Sequence, residues 1–204
     1  MRDGDKPQAL SFCTVSESLQ HGPSAIWAHL HPILNLVRVQ HPGVDTVHFW
    51  SDGPCTQYRN KHMFYLLSCH LAECFSQAVN CTWNYSEAGH GKGAPDGVGA
   101  VLKRTADRII AHGKDISNCI DLVAELKNNI KNVHIETVTS SAIEEMEGKL
   151  KSVRGVTAFR GTMKVHQVTW AASNGRKLHF RKQSCFQCPV STECLHFHMG
   201  TKIM

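Results

Sequence analysis

The chain has no long apolar run. Nothing in its 204 residues approaches the roughly 18 consecutive apolar positions that a membrane-spanning helix needs. The opening stretch MRDGDKPQAL lacks the apolar core of a secretory leader, so a nuclear or cytoplasmic protein, not a secreted one, is expected. No internal repeat is present, which sets solenoid and propeller architectures aside. Disorder on the scale of the whole chain is excluded too. Apolar residues make up 42% and charged residues 19%, enough for a core in one medium domain with an appendage, or in two small ones.

Acids are scarce in one place. From Lys151 onward nine Lys and Arg residues face a single acid, Glu193, a balance of +8, whereas the first 150 residues hold 13 bases and 16 acids, a balance of −3. A basic tail behind a near-neutral region suits an acidic partner, and DNA is the expected one; a solvated basic face is the alternative. Cysteine is plentiful but odd in number: nine, scattered through the first 120 residues and crowded only near the end. Without a leader, reduced thiols are expected, with a disulfide-rich secreted protein as the alternative.

Periodicity predicts an α/β chain. Ala9 to Val15 reads as a strand, Ser24 to Val39 as a helix with Pro32 inside it, and Val44 to Trp50 as a strand running into the turn Ser51-Asp52-Gly53-Pro54. Tyr58 to Phe75 has helical spacing, with a strand still open for Met63 to Leu67, and Ala78 to Tyr85 reads as the next strand. After a Gly-rich loop, Val98 to Ala111 carries an apolar stripe, with Asp96 at its N-cap position and Gly113 at its stop. A helix over Ser117 to Ile130, a strand over Val133 to Val138 and a helix over Ser140 to Leu150 follow. Beyond them, short β-like runs (VTAF, KVHQVTW, KLHF) alternate with turns such as Ser173-Asn174-Gly175.

Two blocks carry a resemblance: HFWSDGPCTQYRNK (His48 to Lys61) and TWNYSEAGHGKGAPDGVGAVLKRTAD (Thr82 to Asp107). Together they resemble a family of uncharacterised, transposon-associated proteins that share an SDGPxxQYRNK block and a WNxxExxHGKGxxDGVGxxKR block. The likeness covers roughly residues 10 to 112, with a looser match around SCFxC. Trp50 stands where that family usually has a smaller residue, and Ala100 where it often has glycine. The resemblance implies descent from DDE-type transposases and an RNase H-like fold, matched from its third strand onward. The strand that supplies the first carboxylate in that fold would precede Met1, so the expectation is a remnant with weak or absent metal-dependent phosphodiester chemistry. Such a sheet would expose an edge for an oligomer or a partner to cover. A non-catalytic nucleic-acid-binding protein is the alternative, and a zinc-stabilised interaction module the second.

Chemistry of that class uses two Mg²⁺ or Mn²⁺ ions held by carboxylates. Asp52, at a strand end, is the candidate second carboxylate; Asp-Gly-Pro is also ordinary turn chemistry. Glu87, with 34 residues between it and Asp52, is a candidate third, and Asp96 is the other unless it is only a cap. His90 and Lys92 sit in the glycine loop, where backbone N–H groups can approach phosphate. Lys92 is followed by Gly-Ala-Pro, not by Ser or Thr and a helix, which speaks against a P-loop. Arg59, Lys61, Lys103 and Arg104 are candidate phosphate contacts or plain surface charges. The tail reads Cys185-x2-Cys188-x5-Cys194-x-His196-x-His198, a candidate Zn²⁺ set with a cramped second half; unpaired thiols in a frayed end are the alternative. Cys69, His70, Cys74 and Cys81 read as core packing. The domains expected are 1–113 (N-terminally truncated RNase H-like), 114–152 (helical extension) and 153–204 (basic, Cys/His-rich).

Overall fold

The computed structural model describes residues 9–87 and 93–204. In chain order the elements are β1 (Phe12–Val15), α1 (Pro23–Gln40), β2 (Thr46–Ser51), α2 (Lys61–Cys74), β3 (Asn80–Tyr85), α3 (Ala94–Ala111) and α4 (Cys119–Asn129). They continue with β4 (His134–Thr137), α5 (Ser140–Ser152), β5 (Gln167–Ala171), β6 (Lys177–Arg181) and β7 (His198–Ile203). The protein is α/β, with a mixed five-stranded sheet flanked by helices. Among the described residues no helix is long and apolar enough to cross a membrane.

The chain divides differently from the expected 1–113, 114–152 and 153–204. One unit combines 1–19 with 92–140, and the other combines 20–91 with 141–204. In the first, β1 pairs in parallel with β4, Cys13 opposite Ile135, and Leu102, Val123, Leu126 and Ile135 form its core. An RNase H-like arrangement asks for β1 in one sheet with the strand that ends at Asp52. Here β1 belongs to a separate two-stranded sheet.

The second unit holds the five-stranded sheet in the order β2-β3-β5-β6-β7. β2 and β3 are parallel; β3, β5, β6 and β7 run antiparallel in turn. β5 occupies the side of β3 away from β2, so β2 and β7 are the edges. Side chains alternate across each strand. Phe49, Cys81, Trp83, Tyr85, Val168, Trp170, Leu178 and Phe180 fall on one face. There they pack with Trp27 and Leu34 of α1 and with Phe64, Leu67 and Leu71 of α2. Phe49 stacks on Trp83 at 4.6 Å and Phe180 meets Phe64 edge-on at 5.1 Å. The VTAF run is not a strand: Phe159 lies flat on Phe180 at 4.0 Å. A Cβ on Gly200, opposite Phe180 on β7, would come within 3.3 Å of the Phe159 ring, and its φ of +148° suits glycine.

The segment SDGPCTQYRNK is a joint between β2 and α2. The Pro54 carbonyl accepts the N–H groups of Gln57 and Tyr58. Asn60 caps α2 by accepting from the N–H groups of His62 and Met63 at 3.0 Å, and its amide donates to the carbonyls of Cys55 and Gln57. Arg59 donates to the carbonyls of Gly53, Met163 and Val165, and lies so close to Gly53 that any Cβ there would collide with it. The second block locks onto this joint. Trp83 Nε1 donates to Ser51 Oγ at 2.8 Å, and the Tyr85 hydroxyl donates to the Tyr58 carbonyl at 3.2 Å.

Candidate metal centre

Over β3, β5 and β6 the opposite face of the sheet is polar and buried. Thr82, Asn84, Gln167, Thr169, His179 and Arg181 all lie on it, none more than 2% exposed. Buried polar groups tend to be hydrogen-bonded, and most of these are, although His179 Nδ1 and Arg181 Nε have no partner among the described residues. Asn84 Nδ2 donates to Thr82 Oγ1 at 2.9 Å, Gln167 Nε2 donates to Asn84 Oδ1 at 2.8 Å, and Arg181 Nη1 donates to Gln167 Oε1 at 3.0 Å. The segment between β6 and β7 covers them. Its Val190 carbonyl accepts from Thr169 Oγ1 at 2.8 Å, its Ser191 carbonyl accepts from Asn174 Nδ2 at 2.6 Å, and Ser184 Oγ donates to Asn84 Oδ1 at 2.9 Å. Apolar packing inside that segment is slight: Cys185, Cys188 and Cys194, with Phe197 against them.

Those three cysteines and His196 converge. Their ligand atoms all lie within 4.8 Å of one another, and among the described residues this is the group of three or more His, Cys, Asp or Glu side chains that could hold a metal ion. His196 Nδ1 stands 3.4 Å from Cys185 Sγ and 3.5 Å from Cys188 Sγ. A tetrahedral zinc site, with Zn–S of about 2.3 Å and Zn–N of about 2.05 Å, places sulfur and nitrogen about 3.5 Å apart. The Phe197 N–H donates to Cys194 Sγ at 3.3 Å. Hydrogen bonding to His196 draws the Cys185 thiol down to about 6 against the opposing pull of burial. In contrast, burial pushes the Cys74 thiol up to about 11, and Cys13 and Cys81 also rise. Against a backbone hydrogen bond at Leu195, Cys188 also lies above its ordinary value, through burial and its bonds to Cys185 and Cys194, so of the two Cys185 alone is drawn down. All nine are free thiols.

His198 is not part of the set. It opens β7 opposite Arg181, and its Nε2 lies 3.7 Å from Glu193 Oε2. The cramped Cys194-x-His196 spacing works because a tight turn before β7 brings both ligands to the same side.

The other expected site residues are dispersed. Asp52 and Glu87 follow the C-terminal ends of neighbouring parallel strands, just past the Ser51–Tyr85 pair, and both are exposed. Glu87 Oε1 is engaged with His166 Nε2 at 3.1 Å. Asp96 belongs to the other unit, where its Oδ2 accepts the Gly93 N–H at 3.2 Å. The helix therefore begins at Ala94, earlier than periodicity suggests, with Gly93 as N-cap and Asp96 closing the first turn. Among the described residues no carboxylate joins a group of three or more His, Cys, Asp or Glu side chains, so Mg²⁺ or Mn²⁺ binding gains no support there. His90 and Lys92 lie outside the described residues. Arg59 is committed to the joint, while Lys103 and Arg104 are exposed on α3. Lys61 lines a cavity of about 200 Å³ with His62, Tyr65 and Arg154.

Sequence reasoning missed the polar face, although alternation in KVHQVTW and KLHFR carried the signal. It also missed Phe186, which stands between the first two ligands with 61% of its surface exposed and meets His48 edge-on at 5.6 Å. Trp50, on the same sheet face as His48, is 64% exposed, and its Nε1 donates to Ser86 Oγ at 2.7 Å.

Fold and site together define an α/β protein in which a loop carrying a Cys₃His set that could hold a metal ion lies across a polar sheet face. By sequence it is a member of a family recognised only as a domain of unknown function, DUF8701, whose model matches residues 1–184 and stops short of the four ligands. No curated protein and no solved structure matches the chain.

Proposed function

We propose that this protein is a non-catalytic, zinc-stapled module that binds single-stranded nucleic acid. The observation that carries the reading is the Cys₃His set, whose ligand atoms converge to within 4.8 Å and hold Phe186 outward between two of them. With four protein ligands and no open position, zinc would be structural here and would hold the loop in shape. Phe186 and Trp50 offer faces on which bases stack, and eight of the nine basic residues from Lys151 onward are exposed or half-buried, against the single acid Glu193. Aromatic platforms beside cations suit single strands without strong sequence preference. The likeness to transposon-associated proteins is in keeping with such a partner.

The test is titration of a labelled oligonucleotide at several salt concentrations. Affinity should fall as salt rises. Phe186→Ala and Trp50→Ala should each cost about 1–3 kcal/mol of binding, roughly a 5- to 150-fold loss. Asp52→Ala should leave binding unchanged. Binding indifferent to salt and to both aromatic substitutions would overturn the reading.

One observation favours a second reading, a remnant DDE-type nuclease: Asp52 and Glu87 follow the ends of adjacent parallel strands. It predicts Mg²⁺- or Mn²⁺-dependent nicking of DNA that disappears in Asp52→Ala.

A further inference from the structure

Arg181 is fully buried, and among the described residues no carboxylate pairs with it. An isolated buried charge is costly, so a guanidinium in such a position needs a compensating negative charge. Its hydrogen bonds show where that charge belongs. Nη1 donates to the Cys185 carbonyl at 2.7 Å and Nη2 to the Pro189 carbonyl at 2.7 Å, so the guanidinium grips both ends of the turn that carries Cys185 and Cys188. Gln167 Oε1 accepts from Arg181 and also from the Cys185 N–H at 3.1 Å, fixing the first ligand's backbone from the sheet side. Three thiolates and a neutral imidazole on a divalent ion leave one unit of negative charge, and the loop carries no other basic group at that depth.

We propose that Arg181 is the counter-charge and positioning residue of the metal centre: its buried guanidinium offsets the net negative charge of a Zn(Cys)₃(His) site and orients the Cys185–Pro189 turn. This rests on the zinc half of the function proposed above and is independent of nucleic-acid binding. It also accounts for a buried arginine on a sheet face otherwise built from neutral groups. The centre and the guanidinium are one neutral unit, formed together when the metal binds.

The experiment measures zinc affinity by chelator competition, and the Co²⁺ absorption spectrum, for the full chain and for Arg181→Lys and Arg181→Gln. The same substitutions are then made in Cys194→His, which turns the site into a Cys₂His₂ set with no net charge. In the natural Cys₃His site, Arg181→Gln should weaken zinc by about 10- to 100-fold, and Arg181→Lys, which keeps the charge but loses the double grip on the turn, by clearly less, about 3- to 10-fold. In the Cys194→His background the gap between Lys and Gln should vanish. Equal losses for Lys and Gln in the natural site, or the same gap in both backgrounds, would overturn the charge role while leaving the zinc site standing. Should Arg181→Gln fail to fold, a folded Arg181→Lys that keeps zinc within about tenfold of the parent supports the proposal, and a Lys variant that loses zinc overturns it. A parent chain that binds neither Zn²⁺ nor Co²⁺ defeats the zinc reading itself, and this inference with it.

Discussion

The two faces of the five-stranded sheet solve the same problem by different means. One buries Trp83, Trp170, Leu178 and Phe180 under α1 and α2, where removal from water is enough to hold the layers together. The other buries Asn84, Gln167, Thr169 and Arg181 under a loop that has hardly any core of its own. A hydrophobic face tolerates a variety of partners of the right volume. A polar face demands that each donor and acceptor meet its mate, and the loop supplies them through the Cys185, Pro189 and Val190 carbonyls. Burial specifies the helical layer, and paired hydrogen bonds specify the loop layer, to which a metal on the Cys₃His set would add.

Removing the metal should break this comparison most severely. Under a strong chelator, or in Cys185→Ser and Cys188→Ser, one equivalent of zinc per chain should be lost. Hydrogen exchange should then accelerate through residues 182–198, while α1 and α2 stay protected; apparent affinities for structural zinc of about 10–16 kcal/mol set the scale. Protection unchanged in the loop would show that the hydrogen bonds suffice without metal. On the helical face, Trp83→Ala or Phe180→Ala should cost about 3–5 kcal/mol in urea unfolding, with zinc stoichiometry unaffected when the protein is folded. Asn84→Leu probes the polar face without touching a ligand. It strands the Gln167 and Ser184 donors, and should cost about 1–3 kcal/mol and loosen zinc modestly. Gly200→Ala should cost about 1–3 kcal/mol, because the Phe159 ring must give way where the backbone already sits at positive φ. At the small end lies the exposed Glu147–Lys151 pair, at 2.9 Å on α5. Its hydrogen bond and charge hold the Glu147 carboxyl below its ordinary value. The stability it adds is therefore present above the unfolded-state value and fades as pH falls through the folded one. Glu147→Gln should shift the thermal midpoint only slightly at pH 7, and not at all once the carboxyl is protonated.

Local signals in the sequence account for most elements within a few residues, because apolar spacing and caps are encoded nearby. The stripe of α3 is an example, whereas the caps Asn60 and Asn118 went unread. Pairing was not legible. Nothing within β1 says that its partner is β4, and nothing within the SDGP block says that Arg59 will turn back onto Gly53 and across to Met163 and Val165. In the two blocks, turn residues such as Gly53 and Pro54 also serve the joint between β2 and α2. Three of the four metal ligands and the fourth, His196, were visible as a spacing, but the choice against His198 depends on where β7 begins. Arg181 read as one more positive charge in a basic tail. Only burial distinguishes it from its neighbour Lys182, which is exposed.

The discontinuity of the larger unit sets an order of events for a chain emerging from the ribosome. Asn84 and Gln167, neighbours across the sheet, are 83 positions apart. The first two strands and their helices are made early and must wait, with the far side of β3 unsatisfied, while the residues of the smaller unit are synthesised. Folding of this unit is bound to be slow relative to its size, and the waiting half-sheet is the species that chaperones would encounter.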